Sequence, residues 1–554
     1  MFSVECSYLG YASNDRLKPY GALSVEPLRS NTISQTRLQK YNFFSIFANI
    51  LLENFISHRI FHNLRTQARN EEGEELPFIP NAGQRELVNM LGTFLLDSTE
   101  GKLFILRGYA GTGKTTIVSA LVRTLHSLGQ KCILLAPTGR AAKVLSRYAS
   151  IDEKVTAYTI HKYIYRQNEL GKESFSLGDN LFHHALFIVD EASMLSNVRD
   201  LSSPFGSGSL LDDLMRFVYN GQGCSLMLVG DSAQLPPVGF NTSPALSDDH
   251  MAQYNVPGLH ISSYTLTEVA RQADTSAILS NATAIRRHIQ QLTATFQPVT
   301  AQHFDIQAAP DTVILNGVDV QPMIERSYNE CGMAQTLIVT RSNRRTNMYN
   351  QGVRSYILWK DDELSAGDRV MVNKNNCYWG KDHEQEHTPA SGNGDKQPAA
   401  GTFIANGDMF EVTRIRNFRE LYGFHFADAT LQNIDYEAER EMEATVWLDI
   451  LQAESDEQVY QMQQDLFYRI AEDYPEIHNR KELVRTIYES PYYNALHIRY
   501  AYAVTCHKAQ GGQWRHVYID QGPVPDEQRD ITYLRWLYTA ITRATEKVFL
   551  INYK

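Results

Sequence analysis

The sequence predicts an α/β protein with two parallel-sheet domains, and three observations carry that expectation. Short, almost wholly apolar runs alternate with segments of helical periodicity. The runs fall into two sets set well apart along the chain, and one run leads directly into a glycine-rich loop and then a helix. Nearly continuous apolar strands are what a parallel sheet covered on both faces requires.

The elements follow in chain order. Residues 1–40 are polar and aperiodic and read as a disordered leader. Within 41–70, Phe43, Phe47, Ile50, Leu51 and Phe55 recur at helical spacing, which predicts an amphipathic helix packed on a core. Residues 71–245 form the first domain, with strands at Leu103–Leu106, Ile133–Leu135, Leu186–Val189 and Leu226–Val229 and a turn-rich insertion near 163–183. The second domain is expected at 246–363 and 491–554, with strands at Thr336–Val339, Tyr502–Val504, Val517–Ile519 and Val548–Ile551. Between its halves, 364–490 holds two β-like stretches (Gly367–Val372 and Phe403–Ile415), a low-complexity tract from Gly380 to Gly401 read as a solvated loop, and an acidic segment of helical character.

Charge and cysteine usage narrow the classes. The chain carries a net charge of −11, yet fifteen acidic against five basic residues lie between Asp435 and Glu489, which leaves the remainder at −1. A basic groove can therefore coexist with an acidic appendage. The six cysteines form no CxxC pair and no cluster with histidine, which argues against a disulfide scaffold and structural zinc. His383 and His387 are four apart, but in a loop no helix presents them to one metal. No apolar stretch reaches membrane-span length, and the start lacks a signal-like apolar region, so a cytoplasmic address is expected.

The chemistry begins at Gly108-Tyr109-Ala110-Gly111-Thr112-Gly113-Lys114-Thr115, between a strand and the helical stretch Ile117–Leu128. Glycines Gly108, Gly111 and Gly113 let backbone N–H groups, with those of Thr112 and Thr116, wrap phosphates. Lys114 reaches the β/γ-phosphates, and the Thr115 hydroxyl suits Mg²⁺. A Mg²⁺–ATP site needs a second anchor and a group to orient water. Asp190-Glu191, at the carboxyl end of a buried strand, supply them: Asp190 for the metal, Glu191 to polarise the attacking water. After the strands, Pro137-Thr138-Gly139-Arg140 offer backbone N–H groups and a hydroxyl to nucleic-acid phosphates. Aromatics able to stack on bases are plentiful, among them Tyr163, Tyr165, Phe175, Tyr378, Trp379 and Trp514, but most aromatics serve the core and none is singled out.

The ordered motifs resemble superfamily 1 helicases of the RecD-like branch. They are Gln84, the phosphate loop, Ala136 to Ala142, Thr159-Ile160-His161, Asp190 to Ser193, Gly230 to Gly239, Leu266 to Gln272, Val504 to Gly512 and Leu537 to Ala544. The resemblance implies two RecA-like domains of the P-loop NTPase class, with a small β-barrel and an acidic helical arm inserted in the second. ATP would lie in the cleft between the domains and single-stranded DNA across their top. It further implies that Gln84 contacts adenine, that Gln234 reports the γ-phosphate to the DNA path, and that Arg271 and Arg543 act as charge-stabilising fingers. His161, Thr505, His507 and Lys508 would join Pro137, Thr138 and Arg140 on DNA. The insertion near Gln167–Ser174 would be either a strand-separating pin or a plain surface loop. The expected activity is ATP-dependent 5′-to-3′ unwinding in repair or recombination, on single strands and duplex junctions. An RNA helicase and a nucleotide-switched binding module are the alternatives.

Overall fold

The computed structural model describes residues 53–64, 79–149, 156–167, 175–200, 205–269, 276–295, 304–376, 378–379, 404–434 and 441–553. The leader, the first half of the 41–70 helix, Arg271, the Gly380–Gly401 tract and the tip of the 163–183 insertion lie outside them.

In the first domain a helix, α1 (53–64), precedes α2 (Ala82–Leu96), β1 (Lys102–Gly108), α3 (Lys114–Ser127), β2 (Cys132–Ala136), α4 (Gly139–Ala149), β3 (Ala157–Thr159) and α5 (Ile160–Ile164). A two-stranded hairpin, β4 (Tyr165–Gln167) with β5 (Phe175–Leu177), follows. Next come β6 (Leu186–Val189), α6 (Leu210–Asn220), β7 (Ser225–Gly230), the short α7 (Asp248–Met251) and β8 (His260–Leu266). Six of the strands form one parallel sheet in the order β3-β2-β6-β7-β1-β8. The strand period of two distributes the apolar side chains: Leu103 and Ile105 face one core with α5 and α6, while Phe104 and Leu106 face another with α1 to α4. Both faces are covered, which is why these strands read as unbroken apolar runs.

The second domain comprises α8 (Ala277–Thr295), β9 (Thr312–Leu315), α9 (Val320–Cys331), β10 (Thr336–Thr340) and α10 (Asn343–Gly352) before its insertion. The insertion is a closed barrel of β11 (Arg369–Val372), β12 (Met409–Leu421), β13 (Phe424–Asn433), β14 (Met442–Trp447) and β15 (Leu496–Tyr500), with helices α11 (Asp456–Ala471) and α12 (Arg480–Tyr488) between its last two strands. Then come β16 (Ala503–Thr505), α13 (Cys506–Ala509), β17 (Trp514–Asp520), α14 (Ile531–Ile541) and β18 (Ala544–Ile551). The second sheet is also parallel, in the order β16-β10-β17-β18-β9. Its faces alternate likewise: Leu337, Val517 and Leu550 pack with α8 and α14, whereas Ile338, Tyr518 and Phe549 pack with α9 and the barrel.

Between β12 and β13 the turn is Tyr422-Gly423, both at positive φ (56° and 66°), the conformation a two-residue hairpin needs to match strand twist. Only two residues separate β15 from β16. Asn350 on α10 clasps that junction, its amide donating to Tyr500 O (3.0 Å) and Ala503 O (3.1 Å) and its carbonyl accepting from Ala503 N (2.7 Å).

Four expectations change. The first domain runs to Leu266 rather than 245, because β8 pairs along its whole length with β1; His260-Ile261-Ser262-Ser263 is too polar to have shown itself as a strand. The barrel extends past 490 to Tyr500, where β15 closes it against β11 and β14. The acidic segment is not helical throughout, since Met442–Trp447 is barrel strand β14. Nor are its helices merely solvated: Leu466, Ile470 and Ile487 pack on Phe426 and Trp447 of the barrel. Finally, α1 buries Ile56, Ile60 and Leu64 and leaves Phe55 45% exposed, so its core face sits one residue from the expected one.

Candidate active site

All the candidate chemistry emerges at carboxyl ends of parallel strands, the edge at which open α/β sheets bind ligands. The phosphate loop follows β1, Asp190-Glu191 follow β6, and Asp231 to Gln234 follow β7, the strand between them. Gly111 and Gly113 take positive φ (76° and 87°), and a side chain on Gly111 would press on Val269 and Leu279. A Cβ on Gly108 would lie 2.8 Å from the Lys114 stem, so glycine is required there for the lysine to fold over the loop. The Lys114 ammonium donates to Gly108 O (2.6 Å) and Tyr109 O (3.0 Å).

Gln84 lies against the phosphate loop. It is 1% exposed and completes a capping box with Asn81, while its Nε2 donates to Thr112 O at 3.1 Å. These bonds peg the phosphate loop to α2.

Asp190 accepts from the Glu191 N–H at 2.8 Å. Burial, then the neighbouring Glu191 charge, raise its carboxyl to about 6, against the opposing pull of Lys114. A buried carboxylate with this cost of ionisation gains from a cation, and its hard oxygen donors suit Mg²⁺. Glu191 sits at φ 52°, a left-handed conformation costly for a non-glycine residue and concentrated at functional sites.

Arg543, from the second domain, meets this pair. It is 4% exposed; its Nη1 lies 3.9 Å from Glu191 Oε1 and donates to Gly512 O (3.2 Å), while Nε donates to Thr539 O (3.1 Å) and Nη2 to the Thr542 hydroxyl (3.3 Å). Gln234 is buried beside the cleft, and its Oε1 has no hydrogen-bond partner. The neighbouring Leu235 is held by the second domain, its N–H donating to the Thr539 hydroxyl (2.9 Å) and its carbonyl accepting from Gln510 Nε2 (2.8 Å).

The nucleic-acid candidates converge from both domains. Pro137 and Thr138 follow β2, His161 lies in the first turn of α5 after β3, Thr505 ends β16, and His507 and Lys508 lie on α13 directly after it. Gly511 fits against Thr138, where a Cβ would be 3.2 Å from its hydroxyl. Arg140 stacks on Trp514 at 4.0 Å and donates to Met409 Sδ at 3.3 Å, while Lys508 donates to Asn406 Oδ1 at 2.6 Å on the barrel. Among the aromatics, Tyr163, Tyr165, Phe175 and Trp514 are buried core, and Trp379 donates its indole N–H to Asn494 O. Sequence reasoning passed over Tyr109, Gln290 and Tyr538, which join the domains at the phosphate loop. Tyr538 lies inside a recognised motif, but nothing in its spacing marks a role.

His161 rests on Tyr165 and Phe205, ring centroids 5.8 and 5.1 Å away, and desolvation lowers its pKa from 6.5 to about 4. The ring is thus neutral at pH 7. With the folded value below the unfolded one, the stability from burying it neutral is complete above pH 6.5 and is lost as pH falls through about 4. On DNA it can hydrogen-bond but not neutralise a phosphate. His161→Gln should therefore leave the salt dependence of single-strand binding at pH 7 unchanged, whereas Lys508→Ala should reduce the log–log slope by about 0.7. Fluorescence anisotropy across a salt series checks both.

Fold and phosphate loop together define a P-loop NTPase of two parallel-sheet domains. Residues 80–304 match the AAA domain family and residues 500–551 the UvrD-like helicase C-terminal domain. The chain is 23% identical over 545 residues to an uncharacterized protein of Acanthamoeba polyphaga mimivirus, covering 85% of this chain and 100% of that one. It is 34% identical over 151 residues to the ATP-dependent RecD2 DNA helicase of Deinococcus radiodurans, covering 26% of this chain and only 18% of that helicase. Among solved structures, a Pif1 helicase from Bacteroides in complex with ADP-AlF3 and ssDNA aligns over 86% of this chain and 92% of its own, with TM-score 0.39 and 15% identity. Over its two matched domains the chain is similar to helicases of the RecD2 and UvrD kind. Among the described residues no helix is long and apolar enough to cross a membrane, and no cluster of potential metal ligands of three or more occurs.

Proposed function

We propose that this ATP-dependent DNA helicase translocates 5′-to-3′ along single strands and opens duplex junctions during repair or recombination. The observation that carries the reading is the meeting of Arg543 with Glu191: a cation from the second domain reaches the carboxylate beside the phosphate loop of the first. Hydrolysis is thereby tied to the relative placement of the two domains, which is what a motor needs to convert nucleotide turnover into movement along a strand.

In this reading Lys114 and the loop N–H groups hold the ATP phosphates, and Glu191 orients and deprotonates the attacking water. Arg543, with Arg271, stabilises the charge that develops on the γ-phosphate. Thr115 and Asp190 would hold Mg²⁺, which supplies charge neutralisation of the β- and γ-oxygens. Gln84 contributes through the loop it pegs. Gln234, with an uncommitted carbonyl beside the cleft, couples the site to the strand path. Thr138, Arg140, His161, Thr505, His507 and Lys508 follow the DNA, and the β4–β5 hairpin parts the duplex.

The test is unwinding of duplexes carrying a single-stranded tail on one end only. Unwinding should require the 5′ tail, and binding should weaken steeply with salt as several phosphate contacts release counterions. Equal unwinding from a 3′ tail removes the direction. Stronger ATPase stimulation by single-stranded RNA than by DNA would move the substrate to RNA.

A further inference from the structure

Three parts of the cleft meet at one oxygen atom. The Ala110 N–H of the phosphate loop donates to the Tyr538 hydroxyl at 2.9 Å, and that hydroxyl donates to Asp231 Oδ2 at 2.7 Å. Asp231 Oδ1 is occupied separately by the Ala233 N–H at 2.9 Å. Tyr538 is 1% exposed, so water does not compete for these bonds. Its neighbour Thr539 continues the contact: the hydroxyl accepts from Leu235 N, and the carbonyl accepts from Arg543 Nε. One turn of α14 is therefore fixed to the phosphate loop, to the segment after β7 and to Arg543. A second tie lies alongside, where Gln290 Nε2 donates to the Tyr109 hydroxyl at 2.6 Å and the Arg286 guanidinium covers the Tyr109 ring at 4.4 Å.

We propose that Tyr538 is a positioning residue for hydrolysis: its hydroxyl, aimed by Asp231, sets the register between the phosphate loop and α14, and so places Arg543 against the reacting phosphate. The inference rests on the ATPase reading above. An arginine acting on a developing charge loses most of its effect when displaced by about 1 Å. Its own contacts to Thr539, Gly512 and Thr542 all lie within the second domain, so they cannot set its distance from the nucleotide. The Tyr538 bond to Ala110 crosses between the domains and can.

The experiment is a double-mutant cycle of Tyr538→Phe and Arg543→Ala, read as ATPase kcat and KM with and without single-stranded DNA. Tyr538→Phe removes one oxygen and keeps the packing. It should lower kcat about tenfold to hundredfold, as befits loss of a hydrogen bond to a charged group, with KM for ATP nearly unchanged. In the Arg543→Ala background the same change should cost almost nothing, because there is no guanidinium left to place. A merely structural tyrosine would cost the same in both backgrounds, and additive losses or an unaffected kcat overturn the inference. Asp231→Asn, which spoils the same bond from its other end, should repeat the non-additivity, and thermal melts show whether each variant is folded. If the parent shows no stimulation by DNA, the function proposed above fails; additivity in either condition overturns the relay.

Discussion

Arg543→Ala is expected to lower the DNA-stimulated ATPase kcat by roughly 10³-fold or more, the scale of an arginine finger, while ATP binding falls far less. Phosphoryl transfer spreads negative charge over the γ-phosphate oxygens, so a guanidinium already in place stabilises the transition state more than the ground state. Arg543 is held by three hydrogen bonds at the end of α14 and meets Glu191 across the cleft, so little reorganisation is left for the moment of reaction. Arg543→Lys should rescue poorly, because a point charge cannot reproduce the fork that contacts Thr539, Gly512 and Thr542 together. Steady-state turnover beside labelled-nucleotide titration separates the two effects. Hydrolysis within tenfold of the parent would remove the assignment and leave Arg271 as the candidate finger.

Lys114→Ala should abolish ATP turnover and unwinding yet leave single-strand binding largely intact. Lys114 is bonded inside the phosphate loop after β1, whereas the strand candidates follow β2, β3 and β16. Losing the ammonium removes the only side-chain cation of that loop, and its worth to the β/γ-phosphates is realised in a site shielded from water. Filter binding of a labelled single strand alongside ATPase assays decides it; comparable losses in both, with the fold preserved, contradict the separation of the two surfaces.

Much of this site was legible because the chemistry demands residue types at fixed offsets from a strand end. Leu186–Val189 coincides with β6, and Asp190-Glu191 emerge where a buried strand must release its carboxylates. The phosphate loop was legible from strand, glycines and helix together. Edge strands were harder. In β8, polar Ser262 and Ser263 sit in a half-covered strand, so the apolar run that marked β1 and β7 is missing. Glutamate-rich Glu437 to Glu443 suggested a helix by propensity, yet tertiary pairing with β13 makes Met442–Trp447 a strand. Gln84 could be placed near the loop by its motif, but only the three-dimensional structure shows the capping box and the bond to Thr112 O that hold it there. The same holds for Tyr538, whose partners Ala110 and Asp231 lie 428 and 307 residues away in sequence.

The passage from β15 to β16 has a mechanical consequence. Only Ala501 and Tyr502 separate a barrel strand from the sheet strand that ends in Thr505, and Asn350 grips the backbone on both sides of that joint. Tyr502 adds a third hold, donating its hydroxyl to Asp368 Oδ1 at 2.8 Å, just before β11, the barrel strand that pairs with β15. A connection this short and this braced has no hinge. The barrel is thereby braced against the second domain, so a displacement of Asn406, which accepts from Lys508, passes stiffly into β16 and the helix bearing His507 and Lys508 instead of being absorbed by bending.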